Sequence, residues 1–137
     1  MKATIKRIQG TTFAGMAESN HWVVMDTHPD EDGSAGSSGP MELVLQGLGG
    51  CSGVDIMLIL KKMRVDVSDF QINIEAERAE THPKVFTRIH LEYVFAGEDI
   101  REKDVQRAIN LSMDKYCSVA GMLNKTAEIS TSYKINH

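Results

Sequence analysis

The stretch Gly39-Pro40-Met41-Glu42-Leu43-Val44-Leu45-Gln46-Gly47-Leu48-Gly49-Gly50-Cys51-Ser52-Gly53-Val54-Asp55-Ile56-Met57-Leu58-Ile59-Leu60-Lys61-Lys62-Met63-Arg64 decides the fold. Serines lie just upstream, Pro40 opens it, and Lys61, Lys62 and Arg64 close it, which are the start and stop signals of one long helix. Leu43, Val44, Leu45, Leu48, Ile56, Leu58, Ile59 and Leu60 do not fall on one narrow stripe. Such a helix is expected to be buried, inside a domain or between subunits. Gly47, Gly49, Gly50 and Gly53 each cost about 1 kcal/mol against alanine in a helix interior. Because they surround Cys51, they predict the close approach of a second element or a ligand to that thiol.

Before this helix, Lys2 to Ile8, Phe13 to Met16 and His21 to Asp26 read as three short strands separated by turn residues, a β-meander. Between Thr27 and Gly39 the chain is polar and rich in glycine and serine. Its Asp30, Glu31 and Asp32 lack the spacing of a calcium loop, so an exposed loop is expected there and no metal.

After the helix, Phe70, Ile72, Ile74 and Ala76 alternate with Gln71, Asn73, Glu75 and Glu77, the period-two pattern of a half-buried strand. Past a turn at Thr81 to Lys84, Val85, Thr87, Ile89, Leu91, Tyr93 and Phe95 alternate with Phe86, Arg88, His90 and Glu92, which completes a long hairpin. Val105, Ala108, Ile109, Ser112 and Tyr116 recur at helical spacing and predict a second helix through about Lys115. A short third helix opens at Cys117, and Ile129 to Ile135 forms a last strand. The order is that of an α+β fold.

A chain of 137 residues is expected to form a single domain, 1–137. A charged fraction of 25% and a net charge of -4 give no reason to expect nucleic acid as a partner. The longest apolar run of the central helix, Ile56 to Leu60, is far short of about 20 residues. No membrane partner is therefore expected, and a cytoplasmic protein is.

The cysteines are Cys51 and Cys117, with no C-x-x-C and no histidine at ligand spacing, so neither a structural zinc site nor another cofactor is expected. Two distant thiols are either buried small hydrophobes or a redox pair. At the opening of a helix, Cys117 is placed for thiolate stabilisation by backbone amides; Cys51, well past its first turn, is not. No lysine or arginine occurs from Ile8 to Leu60. A cation for Cys51 must come from Arg7, from the C-terminal half (Arg88 or Lys125, for example), or from another subunit.

Pro40-Met41-Glu42-Leu43, Gly49-Gly50-Cys51, the helix ending Leu60-Lys61-Lys62-Met63, and Tyr116-Cys117-Ser118-Val119 together resemble the OsmC/Ohr family of bacterial hydroperoxide-resistance proteins. The resemblance spans essentially the whole chain and implies an OsmC-like fold in an intertwined homodimer, with active sites at the subunit interface. It implies a thiol peroxidase for oxidative stress defence. Cys51 would attack the peroxide and become a sulfenic acid, and Cys117 would condense with it to a disulfide that an external dithiol reduces. In the family a glutamate ten residues before the first cysteine and an N-terminal arginine assist. Here Met41 holds the first position, and Glu42, nine before Cys51, is the nearest counterpart and the third catalytic candidate. The alternative is a non-enzymatic member that binds a small lipophilic ligand in an apolar, methionine-rich pocket at the dimer interface.

Overall fold

The computed structural model describes residues 1–28, 33 and 36–137; Asp30, Glu31 and Asp32 lie outside the described residues. Backbone contacts divide the chain into two units, Met1–Gln46 and Gly47–His137. In the first, β1 (Ala3–Gln9), β2 (Thr12–Ala17) and β3 (Trp22–Met25) form an antiparallel sheet in chain order, the expected meander. Gly10, at φ +52°, makes the left-handed residue of the first turn, and its carbonyl accepts the Arg7 Nε–H at 2.8 Å. Asp26, buried just after β3, accepts hydrogen bonds from the Thr11 and Thr12 hydroxyls, both 2.6 Å. One carboxylate thus ties the first turn to the end of the third strand.

Helix α1 (Pro40–Lys62) begins in this unit and continues into the second. The Leu43 N–H donates to the Gly39 carbonyl, so Gly39 caps the helix and Pro40 takes the position where a missing N–H costs nothing. Glu42, three residues in, reaches back to accept the Gly39 N–H at 2.7 Å, one half of a capping box.

The second unit carries a sheet of order β4-β5-β6, made by β4 (Asp69–Arg78), β5 (Phe86–Ala96) and β6 (Glu128–Asn136). β4 and β5 pair as the antiparallel hairpin read from the sequence. β6 pairs parallel to β5, because α2 (Glu102–Leu111), a π-helical turn (Ser112–Tyr116) and α3 (Ser118–Leu123) return the chain to the starting end of β5. Helix α1 lies on the face of β4: a methyl group added at Gly49 would sit 3.1 Å from Ile74 Cδ1, and at Gly53 3.2 Å from Ile72 Cδ1. These two glycines let β4 come close to the helix backbone, on a different face from the Cys51 thiol to which the sequence predicts an approach, whereas Gly47 and Gly50 have nothing within 4 Å.

Three features add to or differ from the sequence reading. Within one chain, helix α1 is buried along one side. Leu48, Gly49, Ser52, Ile56 and Leu60 make one buried stripe, while Val54, Met57 and Leu58 are exposed. By length and composition α1 is also apolar enough to cross a membrane, a property that the short Ile56–Leu60 run does not reveal and that a core helix packed on a sheet shares. The predicted second helix changes form at Ser112, and in the wider π turn Tyr116 leaves the buried stripe. Finally, the alternation of β5 breaks near its start. Glu77 pairs with Arg88 but Arg78 with Phe86, so Thr87 is the extra residue of a bulge. Phe86 is therefore buried and Val85 exposed, the reverse of an unbroken alternation.

That phase break is testable by chemical denaturation. Phe86→Ala is expected to cost about 3–5 kcal/mol as a core truncation, and Val85→Ala no more than about 0.5 kcal/mol. Equal costs would contradict the bulge.

Candidate functional site

The second unit brings Cys51, Asp55 and Cys117 together, with the two sulfur atoms and a carboxylate oxygen all within 4.8 Å of one another. Cys51 and Asp55 are four residues apart on α1 and so share a face of the helix. Cys117 arrives by another route. At φ -72°, ψ 104° it leaves the π turn and caps α3, and its Sγ accepts the Ala120 N–H at 3.4 Å. Cys51 is half-buried and Cys117 buried.

Beneath the thiols runs a chain of hydroxyls. Tyr93 Oη and Ser52 Oγ are 2.7 Å apart, Ser52 Oγ and Ser112 Oγ 2.9 Å, and the Ser112 hydroxyl donates to Asp55 Oδ2 at 3.2 Å. Since Ser112 spends its one proton on the carboxylate, Ser52 must donate to Ser112 and Tyr93 to Ser52. The chain therefore has a single direction, from the phenol to the carboxylate. Ser52, Tyr93 and Ser112 are all fully buried. Burial pushes the Tyr93 phenol up to about 12, against the pull of its Ser52 hydrogen bond, so the phenol keeps the proton that the chain requires.

Electrostatics at Cys117 runs against the expectation from its place at a helix opening. Burial is the largest effect and pushes that thiol up to about 11; the Ala120 amide pulls the other way, and the neighbouring Cys51 adds to the rise. The helix opening read from the sequence is present, but desolvation outweighs it. Cys117 is a thiol at neutral pH.

Beside Asp55 lies an open pocket of about 300 Å³ lined by Asp55, Leu58, Ile59, Lys62, Leu111 and Tyr116. The cations considered for Cys51 have other engagements where the structure shows one: Arg7 with the Gly10 carbonyl, and Arg88 at 4.0 Å from Glu128 on the sheet. Among the described residues no lysine or arginine forms an ion pair with Asp55. Glu42 is engaged at the cap of α1. Asp55, Ser52, Ser112 and Tyr93 were absent from the sequence-based candidates. The i to i+4 spacing of Cys51 and Asp55 was the one signal available for them.

Residues 32–132 match the family model described as OsmC-like protein. The chain belongs to the OsmC-like family. It is 42% identical to Protein YhfA of Escherichia coli (strain K12) over 135 residues, covering 98% of each chain. The solved structure of a hypothetical protein from Aquifex aeolicus VF5 is 32% identical, with a TM-score of 0.83 over 99% of this chain and 97% of that one. An organic hydroperoxide resistance protein OsmC from Legionella pneumophila shares the fold at 13% identity, with a TM-score of 0.72 over 98% and 97% of the two chains. The OsmC-like fold expected from the sequence is thus present, with its two cysteines close together.

The raised Cys117 thiol has a kinetic signature. In Cys51→Ser protein, alkylation of Cys117 by iodoacetamide should accelerate about tenfold per pH unit from about pH 7 to about pH 9, as the thiolate fraction grows. A rate already level by about pH 8 would show that burial does not govern this thiol.

Proposed function

We propose that the protein is a thiol-dependent hydroperoxide reductase that uses Cys51 and Cys117. The observation that carries this reading is the approach of the two sulfurs to within 4.8 Å, one half-exposed and one buried. Cys51 is the accessible sulfur and attacks the terminal peroxide oxygen. The O–O bond breaks, the alcohol or water leaves with a proton, and Cys51 becomes a sulfenic acid. Cys117 then displaces hydroxide from that sulfur, water is released, and a disulfide of about 2.05 Å forms from sulfurs already near one another. An external dithiol returns both to thiols.

Asp55 is the carboxylate within reach of both thiols and serves as proton acceptor for Cys51, held in orientation by Ser112. Glu42 enters as a catalytic candidate on the family resemblance alone. Residues 1–137 act as one OsmC-like domain in a cytoplasmic homodimer. The exposed Val54, Met57 and Leu58 on the central helix support a second copy as its cover, and that copy is a source of a cation for the thiolate beside Lys62 and Lys125 of the same chain.

A second reading is favoured by the pocket of about 300 Å³ beside Asp55, whose Leu58, Ile59, Leu111 and Tyr116 suit an alkyl group. Here the chain binds a small lipophilic ligand without turning it over. Under the first reading the same pocket holds the organic part of a hydroperoxide.

The two readings part on peroxide consumption by the reduced protein, with hydrogen peroxide and an alkyl hydroperoxide in parallel and a dithiol present. Turnover by a species of twice the chain mass in light scattering, abolished in Cys51→Ser, is the expected result. Consumption no faster than that of Cys51→Ser would overturn the enzyme reading in favour of the ligand-binding one.

A further inference from the structure

We propose that Cys51, Asp55 and Cys117 together bind one thiophilic divalent cation of the zinc class while both cysteines are reduced. The inference depends on the geometry of the site and not on peroxide turnover. Two soft sulfurs with one carboxylate oxygen form a donor set that zinc, a borderline-soft cation, takes and that calcium and magnesium, which need oxygen donors throughout, do not. In a tetrahedral site, with Zn–S near 2.3 Å and Zn–O near 2.0 Å, donor atoms lie roughly 3.5–3.8 Å apart. The three atoms here are all within 4.8 Å of one another, so closing on a cation asks for movements of at most about an ångström.

Two of the three donors already have the supporting contact that metal ligands require. The Ala120 N–H donates to Cys117 Sγ, and the Ser112 hydroxyl donates to Asp55 Oδ2, at the end of the chain that runs back to Tyr93. Cys51 and Asp55, four residues apart on a helix, are held as a pair by the backbone itself. Both are half-buried, and Asp55 also lines the open pocket beside Tyr116. Ligand identity and number suit the cation, two of the three donors are already supported, and the remaining spacing is closed by that movement of about an ångström. On binding, each thiol releases its proton to solvent, and the cation offsets the charge of two thiolates and a carboxylate. No residue changes oxidation state. The fourth position is left to water. The spacing rules that exclude a structural zinc motif do not detect this site, because its third donor comes from another part of the chain.

The test uses the full-length protein, reduced and freed of metal by a chelator under anaerobic conditions. Cadmium is titrated as the probe, and thiolate-to-cadmium ultraviolet absorption is the readout, with zinc affinity measured by competition against a chromophoric chelator. One equivalent per chain, with the absorption of two thiolates, is expected. Cys51→Ser and Cys117→Ser should each lose at least half of that absorption. Asp55→Asn, with both cysteines intact, should weaken zinc binding at least tenfold. Cadmium NMR of the unmodified protein reports two sulfur donors and oxygen without recourse to any variant that fails to fold. Zinc affinity unchanged in Asp55→Asn, or a cadmium signal of a single sulfur, would overturn the proposal. Loss of peroxide turnover alone would leave it standing, since no part of the readout uses peroxide.

Discussion

The arrangement of the site depends on one buried chain of hydroxyls. Ser52 on α1, Tyr93 on β5 and Ser112 at the opening of the π turn come from three separate elements and lie where water cannot reach them. A buried hydroxyl left without a partner costs about 1–3 kcal/mol, so each of these groups fixes its neighbours. The chain ends on Asp55, one helical turn from Cys51, and starts on a phenol that burial keeps protonated. It sets the helix against the sheet and sets the connection carrying Cys117 against the helix. The thiols meet because the hydroxyls beneath them do.

Apolar packing supplies the background to this polar frame. Phe70 and Phe95 stack with ring centres 4.5 Å apart, and Leu91, Tyr93 and Phe95 on β5 are fully buried. Against that face α1 presents glycines at the two points where a side chain would press on Ile72 and Ile74. The conformational cost of those glycines in a helix, about 1 kcal/mol each, is offset by the close approach they allow. The other face of α1 keeps Val54, Met57 and Leu58 uncovered. A helix buried on one stripe and apolar on another is consistent with the expectation of burial between subunits.

Much of the fold was legible in the sequence. The meander, the helix opened by Pro40, the hairpin and the cap at Cys117 each have a local cause: turn residues, a period of two, or a proline and cations at helix ends. What stayed hidden is non-local. The parallel pairing of β5 with β6 depends on where the crossover returns, and the burial of Phe86 depends on a single extra residue at Thr87. Cys51 and Cys117 are identifiable by type and by family resemblance, whereas Asp55 has only its i to i+4 spacing from Cys51 to mark it, and nothing local places Cys117 beside that pair. Ser52 and Ser112 are ordinary residues in a sequence and become informative only when three elements bury them together. The local argument at Cys117 was correct in geometry and reversed in outcome, because desolvation exceeded the contribution of the Ala120 amide.

The central claim is that the fold prepares Cys51 and Cys117 to bond within one chain. It is tested most directly by treating the reduced protein with one equivalent of an alkyl hydroperoxide and mapping its peptides without reduction. The account predicts a chain two hydrogens lighter, with the Cys51 and Cys117 peptides joined and no covalent dimer. Cys51 carried forward to sulfinic acid while Cys117 stays free, or a disulfide between chains instead, would contradict it.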